Sequence, residues 1–171
     1  LSLHDALPIC LKWPMGDKIK DTPDILQVGK EETYHFIEEL LKAVKDTFHT
    51  RRVHLGMDEA VQLGLGNYLK ENGYTKSSLL MKEHCTRVLA ICKKLGLQPM
   101  IWSDMYITSN SGCSYYEVPE GVDCSTWEKP DPDLGLVYWD YYNVDPKVYE
   151  KMLQVHWQLS GHIAFAGGCW I

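Results

Sequence analysis

Segments with strand character alternate along this chain with segments of helical periodicity, and this alternation limits the folds open to it. The helical segments are 31–48, 77–95 and 146–159, where apolar residues recur every three or four positions or a proline opens the first turn. The strand-like segments are 52–56, 99–104, 121–127, 136–142 and 162–166. Strands separated by helices or loops are typical of a parallel sheet with crossover connections, so the sequence predicts an α/β fold.

The residues that end the strand-like segments distinguish between two kinds of parallel sheet. Nearly every segment ends in Trp, Tyr, Asp or Glu, whereas an open sheet collects its functional groups at one switch point. The sequence also has no glycine-rich phosphate loop to mark such a point. We therefore expect a (β/α)8 TIM barrel, in which several strand ends contribute to one active site. A complete barrel takes about 250 residues, so this chain is expected to form an incomplete one.

Two adjacent carboxylates, Asp58 and Glu59, follow the first strand-like segment and are the strongest candidates for chemistry. An apolar and polar alternation precedes them, as expected for a short strand, and Gly56 allows the backbone to turn. Neighbouring side chains of a regular strand point to opposite faces, so the two acids can act together only if the strand ends at Gly56 or Met57. An α/β barrel carries its catalytic groups where strands end, which makes this pair the centre of the functional hypothesis.

The composition argues against several classes of partner. The formal charge is −6 and no basic patch stands out, which argues against nucleic acid. No run approaches the roughly 18 apolar residues of a membrane span. The six cysteines show no CxxC spacing, so we interpret them as reduced thiols and expect a reducing, cytoplasmic compartment. We expect no cofactor and no metal, and the sequence leaves the oligomeric state open.

Five motifs in order resemble the catalytic domain of glycoside hydrolase family 20, the β-N-acetylhexosaminidases. The segment from His54 to Glu59 looks like the family's His-x-Gly-x-Asp-Glu signature. Four later matches are similar to the ends of the fifth to eighth barrel strands: Trp102, Trp127, Tyr138-Trp139-Asp140, and the region from Gly167 to Trp170, which is one residue shorter than in the family. The likeness runs from about residue 11 to residue 171 and is closest to the compact branch without lectin-like extensions.

The resemblance implies an exo-acting retaining β-N-acetylhexosaminidase that removes terminal GlcNAc or GalNAc with help from the substrate's own 2-acetamido group. In that role Glu59 is expected to be the general acid for the glycosidic oxygen. Asp58 would orient the acetamide N–H and balance the charge of the oxazolinium intermediate. Tyr138 would donate a hydrogen bond to the acetamide oxygen. The partner that the resemblance implies is therefore a carbohydrate that ends in an N-acetylhexosamine.

Strand geometry and the family likeness together extend the predicted pocket. Tyr138 and Asp140 are two residues apart, so both are expected to point into one pocket while Trp139 points away. Asp140 would then bind sugar hydroxyls, as its counterpart does in the family. Aromatic rings stack on the apolar faces of sugars, and we expect three tryptophans to wall the pocket: Trp102, Trp127 and Trp170.

The chain departs from the family at its beginning. The first two barrel strands and most of the third have no counterpart, so the predicted barrel covers the end of strand 3 through strand 8, without the substrate-clamping arginine of the first strand. We assign residues 11–171 to the partial catalytic domain and leave residues 1–10 unassigned, with foreign sequence as one interpretation. Open sheet edges would be exposed, so we expect the isolated chain to be poorly folded and inactive. Brisk hydrolysis of an aryl N-acetylglucosaminide by this chain alone would refute that expectation.

Two other functions fit parts of the sequence. A metal-dependent barrel hydrolase would use His54, Asp58 and Asp104, although barrel metal sites usually draw on several histidines. A carbohydrate-binding barrel would keep the pocket without catalysis, but a binder has no need of a general acid such as Glu59. Outside these alternatives, His54 is expected to be a buried, hydrogen-bonded histidine. Asp104 is expected to be either a structural hydrogen-bonding group or a ligand contact.

Overall fold

The computed structural model describes residues 14–168, and within this range the chain forms five α-helices and four β-strands. Trp170 and the unassigned residues 1–10 lie outside the described residues. A 3-10 helix (Pro14–Lys18) comes first, and a second 3-10 helix (Tyr115–Glu117) precedes the third strand. The other elements in chain order are α1 (Glu31–Thr47), β1 (Arg52–His54), α2 (Asn67–Asn72), α3 (Ser77–Leu95), β2 (Gln98–Trp102), α4 (Asp104–Ser111), β3 (Gly135–Asp140), α5 (Pro146–Leu159) and β4 (Ile163–Gly167).

The four strands form one parallel sheet in the order β1-β2-β3-β4. Each strand therefore pairs with its neighbour in sequence, and Met100 of β2 is the partner of Gly135 of β3. In parallel neighbours the carboxyl ends of all strands lie at one edge of the sheet. This curled parallel sheet with crossover helices confirms the prediction of an α/β, incomplete TIM-barrel fold.

Amphipathic helices cover one face of the sheet and supply most of the core. α3 ends as predicted at Gly96, whose left-handed φ of 71° stops the helix. Among residues 14–168, no helix is long and apolar enough to cross a bilayer. The helical core residues recur at helical spacing on α1 (Tyr34, Ile37, Leu41 and Val44) and on α3 (Leu80, Cys85, Val88 and Cys92). They pack with strand residues that are almost fully buried: Val53, Ile101 and Leu136.

The strand predicted at 121–127 is not formed. The Asp123 carboxylate instead accepts hydrogen bonds from the Ser125 backbone N–H and from the Ser125 hydroxyl, both at 2.9 Å, and this local turn replaces extended structure. β3 therefore pairs directly with β2. The motif order predicted a strand ending in Trp127 between β2 and the strand that carries Tyr138-Trp139-Asp140. Because that strand is not formed, β3 with Tyr138-Trp139-Asp140 occupies its position, next to β2.

Four cysteines in the described range are free thiols: Cys85, Cys92, Cys113 and Cys124. The two on α3, Cys85 and Cys92, are buried on one face of the helix, as their spacing of seven predicted. Burial raises the pKa of each thiol to about 12, so both behave as small core residues.

Candidate active site

Asp58 and Glu59 lie on the loop that follows β1 at the carboxyl edge of the sheet. The strand ends at His54, so the expectation that it ends before the two acids is confirmed. The loop then takes left-handed φ angles at Gly56 (75°), Met57 (69°) and Glu59 (49°). Such angles at non-glycine residues cost about 1–3 kcal/mol each and persist only where neighbouring contacts enforce them.

This loop, residues 55–66, is called the acid loop, and its first part is attached to the sheet and to the core. The Trp102 backbone N–H donates to the Gly56 carbonyl at 3.1 Å, which continues the β1–β2 pairing beyond the end of β1. The Met57 side chain turns inward, and its Sδ lies 3.8 Å from the Cys85 Sγ on α3. These contacts hold the left-handed turn that separates the two acids from the strand.

Asp104, the first residue of α4, joins the acid loop to β3. Its Oδ2 accepts the backbone N–H of Glu59 at 2.8 Å, and its Oδ1 accepts the Nε1–H of Trp139 at 3.4 Å. The side chain is only 4% exposed. Burial raises the pKa of Asp104 to about 6; the two hydrogen bonds oppose this rise and the nearby Asp58 charge adds to it. Of the two roles expected for Asp104, the structure shows the hydrogen-bonding one.

Tyr138 and Asp140 share one face of β3, as predicted, but that face is covered by α5. Tyr138 has no exposed surface, and its ring centroid lies 4.9 Å from that of His156 on α5 and 5.2 Å from that of Phe165. Burial raises the pKa of the phenol, whose hydroxyl donates to Asp140 Oδ2 at 2.8 Å. In this structure both side chains therefore lie under α5 and away from the acid loop, and the roles expected for them stay predictions.

The Asp140 carboxylate is saturated by internal donors. It is 1% exposed and accepts hydrogen bonds from the Tyr138 hydroxyl, from the backbone N–H groups of Tyr142 and Asn143, and from the Asn143 side-chain amide. Burial alone would raise the pKa of Asp140, but the hydrogen bonds outweigh it and the pKa is lowered. Asp140 thus fixes the turn after β3, and the sugar-binding role expected for it stays a prediction.

Trp139 and Tyr141 lie on the side of β3 that meets the acid loop. Trp139 was expected to point away, yet its ring N–H reaches Asp104, and its ring stacks on that of Tyr141 with centroids 5.7 Å apart and planes at 26°. Burial raises the pKa of Tyr141, and the Asp58 charge adds to the rise, so this phenol lies within electrostatic range of the acid pair. Side chains alternate between the two faces of a strand, so the sequence predicted which residues of β3 share a face. It did not predict which of the two faces α5 covers.

His54 and Trp102 lie together beside the start of the acid loop. Their ring centroids are 4.3 Å apart, with planes tilted by 52°. His54 Nδ1 accepts the Gly56 N–H at 3.1 Å, so the neutral ring carries its proton on Nε2. Burial lowers the pKa of His54, and the Asp58 charge offsets this only in part. The expectation of a hydrogen-bonded histidine is confirmed, although its side chain is only half-buried.

A cleft of about 320 Å³ borders Asp58 and Glu59. Most of its lining is apolar and comes from the segment 24–28, from the acid loop itself, and from Met81 and His84 of α3. A larger cavity of about 560 Å³ lies at the opposite, amino-terminal edge of the sheet, between Gln98 and Ile163. The candidate acids therefore border the smaller of these two spaces.

The remaining predicted pocket residues are not brought to this cleft in the part of the chain that the structure describes. Trp127 is half-buried against the core in a loop, and its neighbour Glu128 is hydrogen-bonded to Asn110 of α4. Across residues 14–168 no three His, Cys, Asp or Glu side chains are arranged to hold a metal ion, so the ligand set of the metal-dependent alternative is not assembled.

The sequence matches one protein family along most of its length. The family model of "Glycosyl hydrolase family 20, catalytic domain" matches residues 8–140, well over half of the chain. The chain therefore belongs to glycosyl hydrolase family 20, and the predicted resemblance is confirmed. No curated protein sequence matches the chain.

Solved structures of family members share the fold. The β-N-acetylhexosaminidase of Streptomyces coelicolor A3(2) is 16% identical with a TM-score of 0.50, over 84% of this chain and 22% of that one. Dispersin B is 18% identical with a TM-score of 0.50, over 89% and 40%. The exo-β-N-acetylglucosaminidase of Vibrio harveyi, in complex with N-acetylglucosamine, is 15% identical with a TM-score of 0.51, over 84% and 19%. This chain thus spans less than half the length of each relative.

Proposed function

We propose that the whole protein is a glycoside hydrolase, specifically an exo-acting retaining β-N-acetylhexosaminidase, with Glu59 as its general acid. The observation that carries the proposal is the acid pair itself: two adjacent carboxylates on a strained loop at the carboxyl edge of a parallel sheet, within a family 20 domain. Barrel enzymes place their catalytic groups at this edge. The Glu59 side chain is exposed, so a substrate oxygen can reach it.

The proposed reaction uses the substrate's 2-acetamido group as the nucleophile. Glu59 gives its proton to the glycosidic oxygen as the bond from that oxygen to the anomeric carbon breaks, and the acetamide oxygen attacks the anomeric carbon to form an oxazolinium ion. Asp58 accepts the acetamide N–H and balances the positive charge. Water then opens the ring and returns its proton to Glu59, so the anomeric configuration is retained.

Tyr141 takes the role that the sequence analysis gave to Tyr138. Its phenol lies within electrostatic range of Asp58, whereas the Tyr138 hydroxyl is buried and already donates to Asp140. A phenol at the Tyr141 position can donate to the acetamide oxygen and keep it in line with the anomeric carbon. The stacked Trp139 ring beside it offers an apolar wall for the sugar.

A terminal N-acetylglucosamine is the substrate unit that we propose first. The Vibrio harveyi structure, which shares this fold, contains N-acetylglucosamine, and this supports the choice. Terminal N-acetylgalactosamine is the other sugar that the same acetamide chemistry accommodates.

Substituting Glu59 tests the proposal in the whole protein. Because general acid catalysis contributes about 10²–10⁴-fold, Glu59→Gln is expected to lower kcat for an N-acetylglucosaminide by that factor while the Kd for N-acetylglucosamine stays within about twofold. Glu39→Gln, on the exposed surface of α1, is the matched control and is expected to keep full activity. Unchanged turnover in Glu59→Gln would contradict the assignment. Sugar binding without turnover in the unmodified protein would favour a carbohydrate-binding barrel instead.

A further inference from the structure

We propose that Asp104 is a positioning residue for the general acid: it fixes the Glu59 backbone and thereby aims the Glu59 carboxyl at the glycosidic oxygen. The inference rests on the proposed function of Glu59 and adds to it the group that sets the direction of proton donation. Its basis is the 2.8 Å hydrogen bond from the Glu59 backbone N–H to Asp104 Oδ2.

The conformation of Glu59 shows why it needs such an anchor. Its φ is 49°, a left-handed angle that side chains other than glycine rarely adopt. Its side chain is exposed, so packing does not determine where the carboxyl points. The backbone angle therefore sets the direction in which the side chain leaves the main chain, and the hydrogen bond from the Glu59 N–H to Asp104 holds the backbone at this point.

Asp104 is itself held from the opposite side. Its Oδ1 accepts the Trp139 Nε1–H, and the Trp139 ring stacks on Tyr115 with centroids 5.0 Å apart and planes at 25°. The Tyr115 hydroxyl lies 2.6 Å from Ser103 Oγ, next to Asp104 in the chain. Because each Asp104 oxygen accepts one hydrogen bond, the side chain holds the Glu59 backbone at a fixed position relative to β3. A mobile surface carboxylate cannot do this.

A second buried carboxylate, Asp21, holds a different part of the same segment. Asp21 is 3% exposed and accepts the backbone N–H groups of Gly64 (2.6 Å), Gly66 (3.1 Å) and Tyr68 (2.8 Å). Asp21 and Asp104 thus hold two different parts of the segment after β1. Asp21 serves as the matched control, because its loss disturbs the same segment without releasing Glu59.

Kinetics with two leaving groups separate positioning from general damage. A poor leaving group, as in an N,N′-diacetylchitobioside, needs protonation, whereas a 2,4-dinitrophenolate departs without it. We expect Asp104→Ala, which removes both acceptor oxygens, to lower kcat for the chitobioside about 10- to 100-fold and to leave kcat for the dinitrophenyl glycoside within about threefold. Asp21→Ala is expected to lower both by the same factor. Equal losses on the two substrates in Asp104→Ala, or no loss on either, would overturn the proposal.

Amide hydrogen exchange gives a readout that does not depend on turnover, so a failure of the proposed hydrolase activity is distinguishable from a failure of this inference. Asp104→Ala is expected to speed exchange at the Glu59 amide at least about tenfold and to leave the amides of Gly64 and Gly66 unchanged; Asp21→Ala is expected to do the reverse. If Asp104→Ala does not fold, Asp104→Leu, which is closer to Asp in size and has no acceptor, gives the same test. Unchanged exchange at Glu59 in a folded Asp104 variant would overturn the inference.

Discussion

The two faces of β3 carry similar side chains but serve different parts of the molecule. On one face, Tyr138 and Asp140 are buried under α5 and bond to each other and to the turn that follows. On the other, Trp139 and Tyr141 meet Asp104 and the charge of Asp58. A phenol and a neighbouring acid are present on both sides, so residue type alone does not identify the functional face. The functional face is identified by the burial of the side chains and by whether internal donors already occupy the carboxylate.

The covered face is organised by a directed chain of hydrogen bonds. His156 Nδ1 lies 2.6 Å from the Met152 carbonyl, which can only accept, so the ring proton is on Nδ1 and Nε2 accepts from the Ser103 hydroxyl at 2.7 Å. Ser103 Oγ then accepts from the Tyr115 hydroxyl at 2.6 Å. A serine beside a histidine suggests a nucleophile, but both have no exposed surface, so the pair fixes structure rather than performing chemistry.

Substituting Asp140 is expected to give the largest change on the covered face. Asp140→Asn replaces one acceptor oxygen by an NH₂ group among four donors, so the free energy of unfolding is expected to fall by about 3 kcal/mol in urea titrations. Asp133→Asn, which affects an exposed ion pair with Lys93, is the control and is expected to leave the free energy of unfolding nearly unchanged. A drop for Asp140→Asn as small as that of the control would place Asp140 outside the interior network.

The pH dependence of stability tests the same face through His156. Burial lowers the pKa of His156 to about 4, against about 6.5 in an unfolded chain. Between these values the unfolded state binds a proton that the folded state does not, so stability falls as pH drops from 6.5 to 4 and is not affected above 6.5. The loss that His156 contributes is at most about 3 kcal/mol.

The matched variant for this experiment is His156→Gln. It is expected to lose about 3 kcal/mol less than the unmodified protein over the same pH range, as measured by urea unfolding at several pH values. His84, whose pKa is also lowered to about 4 by burial, is present in both proteins and so does not affect the difference. Parallel stability curves for the two proteins would show that the pKa of His156 is the same in the folded and unfolded states, and would contradict the expectation.

The long helices were predictable from sequence because their signals are local. The apolar periodicity of α3 and the proline that opens α5 predict Ser77–Leu95 and Pro146–Leu159, the bounds that the structure shows. α2 and α4 have only six and eight residues and too few turns for a periodic stripe. The strand expected at 121–127 is replaced by a turn around Asp123, because a side chain that bonds its own backbone competes with sheet pairing.

The candidate site was predictable only in part, for a different reason. The acid pair could be identified because Gly56 and the end of an apolar run mark where a strand stops. Which face of β3 meets the acid loop could not be predicted, because it depends on where α5 and Phe165 of the next strand pack. The role of Asp104 likewise depends on a contact with Glu59 across 45 residues of sequence, which no local pattern encodes.

The most direct test of the central claim compares the two phenols on opposite faces of β3. In the whole protein, Tyr141→Phe is expected to lower kcat for an N-acetylglucosaminide about 10- to 100-fold. Tyr138→Phe is expected to reduce that free energy by about 1–2 kcal/mol and to keep kcat within about twofold. The opposite pattern, with kcat lost in Tyr138→Phe and kept in Tyr141→Phe, would contradict the assignment of the functional face.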